Sequence, residues 1–132
     1  MDRSVLWLAA GMLAGMAITA HAHHSWGAVY DGGRPVEDLA ATIVGPHSRR
    51  PHDNIAVMIT NEAGEAEGWT VQWRGNRGRD EEREQYDFNH GDDVLITGRI
   101  ARDEETKQIQ MTRLVRPSDG WTITAREGRR RR

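Results

Sequence analysis

Six histidines and no cysteine occur in the 132 residues of this chain. That pairing confines any transition-metal chemistry to nitrogen and oxygen donors. It also removes disulfides, thiolate sites and cysteine nucleophiles. Five of the histidines follow Ala22: His23, His24, His47, His52 and His90. The adjacent pair His23-His24 is the most informative. A chain cut before His23 would expose an α-amino nitrogen beside that residue's own imidazole, and the two nitrogens would chelate one ion. A second imidazole from elsewhere would complete a T-shaped, all-nitrogen set suited to copper, the tightest binder among divalent first-row metals. His24 serves that frame less well, because adjacent side chains on extended chain point to opposite faces. A cut one residue earlier reverses this. His24 would then stand third, where backbone nitrogens and imidazole wrap square-planar Cu(II). Zinc would usually ask for a carboxylate as well, with Asp31 and Asp53 nearby in sequence. Binding needs neutral imidazole and is expected to weaken below about pH 6. The plainer reading makes the paired histidines a solvated linker, and His47 and His52 exposed flanks of a Ser48-Arg49-Arg50-Pro51 loop.

The free amine requires a processed N-terminus, and the first segment has the features of one. A short charged start, Met1-Asp2-Arg3-Ser4, precedes the uncharged run Val5 to Ala20. Small residues at Ala20 and Ala22 satisfy the A-x-A rule, which places the cut before His23. The run of 16 residues falls short of the roughly 20 needed to span hydrocarbon. Residues 1–22 are therefore expected to be a cleaved signal peptide, with a periplasmic or secreted destination and no stable membrane insertion after cleavage. A retained anchor is the competing reading, since Gly11 and Gly15 form a G-x-x-x-G pair.

Other chemistry is sparse. The chain has no G-x-S-x-G, H-E-x-x-H or phosphate-loop motif, which argues against an enzyme. Ser25 beside His24 is adjacency in sequence and does not make a nucleophile–base pair. The net charge of -2 gives no steering toward nucleic acid, and nucleic acid is not an expected partner of an exported chain. Trp69, Trp73 and Trp121 could form a stacking surface, although Trp69 and Trp73 share a strand face with Val71 and read better as core. The basic end Arg126 to Arg132 reads as a disordered tail, with contact to envelope phosphates as its functional alternative.

The elements that must position these residues read as strands. Leu39–Val44 alternates, with Leu39, Ala41 and Ile43 on one face. Ile55–Thr60 and Trp69–Trp73 alternate around the turn Asn61-Glu62-Ala63-Gly64 and predict a hairpin. A polar stretch over 75–90 follows, with a short helix expected over Asp80–Tyr86. Val94–Ile100 and Ile109–Val115 flank an acidic tip at Asp103-Glu104-Glu105, and Gly98 marks a bend. Trp121–Thr124 adds a last short strand. Three strands, a helix or loop, then two strands predict a small five-stranded OB-like Greek-key barrel over 36–125, preceded by an extended segment over 23–35 and followed by the tail 126–132. A β-sandwich is the alternative.

In this order the motifs resemble a family of small secreted bacterial proteins, domain of unknown function 6152. His23-His24-Ser25 with an aromatic next (Trp26), Tyr30-Asp31, Pro35-Val36, Pro51-His52, Trp69, Gly91-Asp92, Thr97-Gly98 and Ala101-Arg102-Asp103 carry the likeness over most of 22–120. Arg50 stands where the family has Asn. The stretch before Gly91-Asp92 is acidic and arginine-rich rather than rich in Gly and Leu. The resemblance pairs the His-His-Ser and Pro-His motifs, which makes His52 the expected third ligand. The expected metal set is thus His23, His24 and His52, with copper as the cofactor. The functional expectation is a periplasmic binding protein without catalysis. A metal-free module that holds an envelope protein is the alternative.

Overall fold

A computed structural model describes residues 25–49, 52–74 and 86–125. Within them lie one short helix, α1 (Trp26–Tyr30), and the strands β1 (Pro35–Ile43), β2 (Asp53–Thr60), β3 (Ala66–Trp73), β4 (Asp93–Ile100), β5 (Gln108–Arg116) and β6 (Trp121–Thr124). A single 3-10 turn, Glu104–Thr106, precedes β5. No helix among the described residues is long and apolar enough to cross a membrane.

The strands follow their two-residue alternation. Ile55, Val57 and Ile59 of β2 and Trp69, Val71 and Trp73 of β3 point into one core. Ala41 and Ile43 of β1, Val94, Ile96 and Ile100 of β4, and Ile109, Met111 and Leu114 of β5 join them. The β2–β3 hairpin is in register from Asp53↔Trp73 to Thr60↔Ala66, and Gly64 supplies the positive φ of 82° that its turn requires.

Closure comes from a pairing distant in sequence. β1 lies antiparallel to both β2 and β4, and β4 to β5. β3 then runs parallel to β5 through Thr70↔Gln108, Val71↔Ile109 and Gln72↔Gln110. The circuit β1-β2-β3-β5-β4 is a closed OB-like barrel, and β6 adds to β5 outside it. The sandwich alternative is overturned by the β3–β5 seam, which pairs two strands that a sandwich would leave as edges.

Two bulges bend the barrel walls. In β1 the register slips between Val36 and Leu39, where Asp38 adopts φ 47°. In β5 the register skips Thr112, since Thr97 faces Arg113 while Gly98 faces Met111. A Cβ on Gly98 would collide with the Gln110 carbonyl, so this bend demands glycine. The extra residue also shifts the phase of β5. Ile109 and Met111 point inward before it, and Leu114 and Arg116 point inward after it.

One local expectation changes. The lead predicted as extended over 23–35 contains the helix α1, and Pro35 already belongs to β1. Ser25 caps α1 by accepting a hydrogen bond from Ala28 N–H at 3.2 Å, and Trp26 stacks on Tyr30 one turn later with centroids 5.3 Å apart. Tertiary contacts hold the turn in place. Tyr30 is 2% exposed and donates its hydroxyl to Gln72 Oε1 at 3.1 Å, while Arg102 donates its backbone N–H to Val29 O and its guanidinium to Ala28 O. The short helix expected over Asp80–Tyr86 falls outside the described residues except for Tyr86.

Candidate functional site

Three side-chain clusters stand at the ends and rim of the barrel. The first is aromatic and sits where β2 begins and β3 ends. His47 donates or accepts through Nε2 with Asp53 Oδ1 at 2.8 Å. Its ring stacks on Trp73 at 5.5 Å and meets the edge of Tyr86 at 4.7 Å. Trp73 Nε1–H donates to the Tyr86 hydroxyl at 3.2 Å, and Phe88 closes the group against Trp73 and Trp121. The side chains of His47 and Asp53 are 15% and 16% exposed, so His47 is not the exposed loop residue that its polar surroundings suggest. The pair ties the β1–β2 loop to the first residue of β2.

The second cluster centres on Arg116, which the β5 bulge turns inward. Only 7% of Arg116 is exposed. It donates to Asp119 through Nε and Nη2, to Asp92 at 2.8 Å, and to the Asp87 carbonyl and carboxylate. Its guanidinium also lies over Trp121 with Cζ 5.0 Å from the ring centre. These bonds hold Asp119 down at about 2, with the arginine hydrogen bonds as the main cause and the Trp121 N–H as the next. Asp92 is lowered and Arg116 raised by the same contacts. Every hydrogen-bonding edge of the guanidinium is engaged, so the cluster pins the turn after β5 to the segment before β4. It is a brace, not a ligand site.

The third cluster is a corner on the outside of the barrel, built from three separate segments. Asp53↔Trp73 ends the β2–β3 ladder, and His52 and Arg74 are the next residues beyond it on the two segments. Arg74 is exposed and His52 half-buried. Trp26 of α1 covers both. Its ring centroid is 4.7 Å from that of His52, and Arg74 Cζ stands 5.5 Å above the same indole. Asn54 fixes the turn by donating its side-chain amide to the His52 carbonyl at 2.9 Å.

The predicted ligands divide accordingly. His52 belongs to the outer corner. His23 and His24 lie outside the described residues. His90 sits exposed in the turn before β4. Among the described residues, no group of three or more His, Asp or Glu side chains is placed to hold a metal ion. Trp69 and Trp73 are core residues. Trp69 is further enclosed by Lys107 at 5.1 Å, and Trp121 by Arg116. Burial removes Trp69 and Trp73 from the stacking-surface reading, while Trp121 is half-buried.

Sequence reasoning missed Trp26 and Arg74 as members of the corner. The signal for Arg74 was present, because hairpin register places it just beyond the last β2–β3 pair, as it does His52. Trp26 had no such signal, since its position depends on how α1 docks. Compared with known proteins, the chain matches no family model, no curated protein and no solved structure.

Proposed function

We propose that this β-barrel is an exported, non-enzymatic envelope protein that binds a transition metal, copper in the first place, at the corner where its N-terminal segment meets β2. His23, with its freed α-amino group, and His52 are the proposed ligands. His24 replaces His23 if the cut falls one residue earlier. The observation that carries the reading is the contact between Trp26 and His52, with ring centroids 4.7 Å apart. It brings the segment after the His-His pair to the imidazole at the mouth of β2, although the two are far apart in sequence. The resemblance to domain of unknown function 6152 belongs to the same proposal, since it pairs the His-His-Ser and Pro-His motifs. The donor set suits the ion: nitrogen ligands without thiolate favour Cu(II) over softer metals.

The test is native mass spectrometry of the processed chain during titration with copper, nickel and zinc. The expected spectrum shows a mature start at His23 and one copper retained per chain. His52→Ala together with His23→Ala removes two imidazole ligands and is expected to lower copper affinity by at least about tenfold. A correctly processed chain that retains no metal at micromolar concentration overturns the proposal.

A further inference from the structure

Two aspartates of this chain are followed directly by glycine, Asp31-Gly32 and Asp119-Gly120, and no asparagine is. In such a pair the glycine nitrogen has no side chain to shield it from the neighbouring carboxyl carbon. The two pairs share their backbone setting. Gly32 has φ 79° and Gly120 φ 76°, a Cβ on either would meet nothing within 4 Å, and both aspartates are exposed. Their reacting groups are held differently. The Asp119 carboxylate accepts from Arg116 Nε at 3.1 Å and Nη2 at 2.8 Å and from the Trp121 N–H at 3.0 Å. The Gly120 N–H donates to the Arg116 carbonyl at 2.8 Å. Electrophile and nucleophile of this pair are both tied into the Arg116 brace. Asp31 closes α1 with its backbone N–H, which donates to the Gly27 carbonyl at 2.9 Å. Its carboxylate turns back beside Gly27 and, among the described residues, has neither a cation nor a hydrogen-bond donor. The Gly32 N–H donates to no described group.

We propose that Asp31-Gly32 is a site of spontaneous isoaspartate formation and that the change acts on the hinge between α1 and β1. The Gly32 nitrogen attacks Cγ of Asp31 and closes a succinimide ring. The Gly32 N–H proton and one proton from solvent join the departing carboxylate oxygen, which leaves as water. Water then adds back to the ring. Opening at the carbonyl that was the Asp31 backbone leaves Gly32 attached through Cγ, which is isoaspartate, and returns the proton to solvent. Nothing is oxidised or reduced, and water is the co-reactant. The main chain now runs through the former side chain and is one CH2 longer between Tyr30 and Gly32. The β1 side has no room for that length. A Cβ on Gly33 would collide with the Ile100 carbonyl, and the Ile100 N–H donates to the Arg34 carbonyl at 2.8 Å. α1 is the side that yields. It is a single turn, held by the Tyr30 hydroxyl on Gln72 and by the bonds of Arg102 to Val29 and Ala28. Isoaspartate at position 31 is thus a slow covalent release of α1 from the barrel. No metal enters this chemistry, so it holds with or without the proposed ion.

The processed chain is incubated at neutral pH, folded and in parallel in guanidinium chloride. Peptide maps are scored for isoaspartate by electron-transfer fragmentation and by labelling with an isoaspartate-specific methyltransferase. In the folded chain isoaspartate is expected to form at Asp31 at least about tenfold faster than at Asp119, because Asp119 must first give up a charge-assisted hydrogen bond to Arg116. In denaturant both pairs are solvated, and the two rates are expected to become comparable. Asp31→Asn should react faster than the parent, with ammonia as the leaving group, and Asp31→Glu, which would need a larger ring, should give no product at 31. The isoaspartate form, separated by chromatography, is expected to lose amide protection at Arg102, whose N–H donates to Val29, with β2 unchanged. Absence of isoaspartate at Asp31 in the folded chain overturns the proposal, as does conversion of Asp119 at the same rate. Full protection of Arg102 in the isoaspartate form overturns the action on α1.

Discussion

Two side chains carry pH signatures that isolate their contacts. Asp119 is held at about 2, well below its ordinary 3.8, by hydrogen bonds from Arg116 and the Trp121 N–H. A lowered carboxylate stabilises the fold above its unfolded value, and that contribution is lost as pH falls from 3.8 toward 2. Asp119→Asn is therefore expected to flatten the acid limb of a stability–pH profile measured by urea unfolding, while an unchanged limb would assign acid unfolding to other groups. Tyr30 is the opposite case. Burial pushes its hydroxyl up to about 12 from 10, so the neutral phenol is favoured in the folded state. Its contribution is complete below pH 10 and is lost as pH rises toward 12. Tyr30→Phe should remove that alkaline dependence, and should cost about 1 kcal/mol at neutral pH through the lost bond to Gln72.

Among the elements, β5 shows how one residue changes what a strand presents. Its early part buries Ile109 and Met111, and its later part buries Leu114 and Arg116, because the bulge at Thr112 shifts the alternation. Without the bulge, Arg116 would face solvent and its three aspartates would have no common partner. The bulge depends on Gly98 across the ladder, where added carbon meets the Gln110 carbonyl. Gly98→Ala is expected to destabilise the barrel by about 1–3 kcal/mol through overpacking, read by urea denaturation. A loss of under half a kilocalorie would mean that β4 and β5 move apart easily at this point. The acidic tip before β5 has a different logic. Lys107 reaches back to Glu67 at 3.2 Å and lies over Trp69, so the tip is fastened to the β2–β3 hairpin.

For the molecule as a whole, the β3–β5 seam is the decisive feature. It consists of three register pairs, with Val71 and Ile109 opposite one another and both fully buried. Ile109→Ala removes packing at the point of closure and is expected to cost about 2–5 kcal/mol. Amide exchange should then show the largest loss of protection at Thr70–Gln72 and Gln108–Gln110. A uniform loss across all strands would instead indicate that the barrel opens only by global unfolding. The N-terminal helix crosses near this seam through Tyr30 and Gln72, so weakening the seam should also loosen Trp26 on His52 and lower metal affinity if the proposed site is correct.

The sequence alone was enough to place the strands and the core. Period-two alternation is a local property, and Ile55, Val57, Ile59, Trp69, Val71 and Trp73 could be assigned to one buried face from their spacing. It was also enough to nominate histidine chemistry, since residue type determines which donors exist. Closure was decided by the tertiary structure, because a parallel pairing between β3 and β5 has no local signature. The buried Arg116 was decided there too, since a single bulged residue reverses the face of every residue that follows. The same holds for the corner. His52 and Arg74 flank the last pair of the β2–β3 hairpin, whose register short-range patterns approximate. Trp26 reaches them only through the docking of a one-turn helix too short to form without the barrel beneath it.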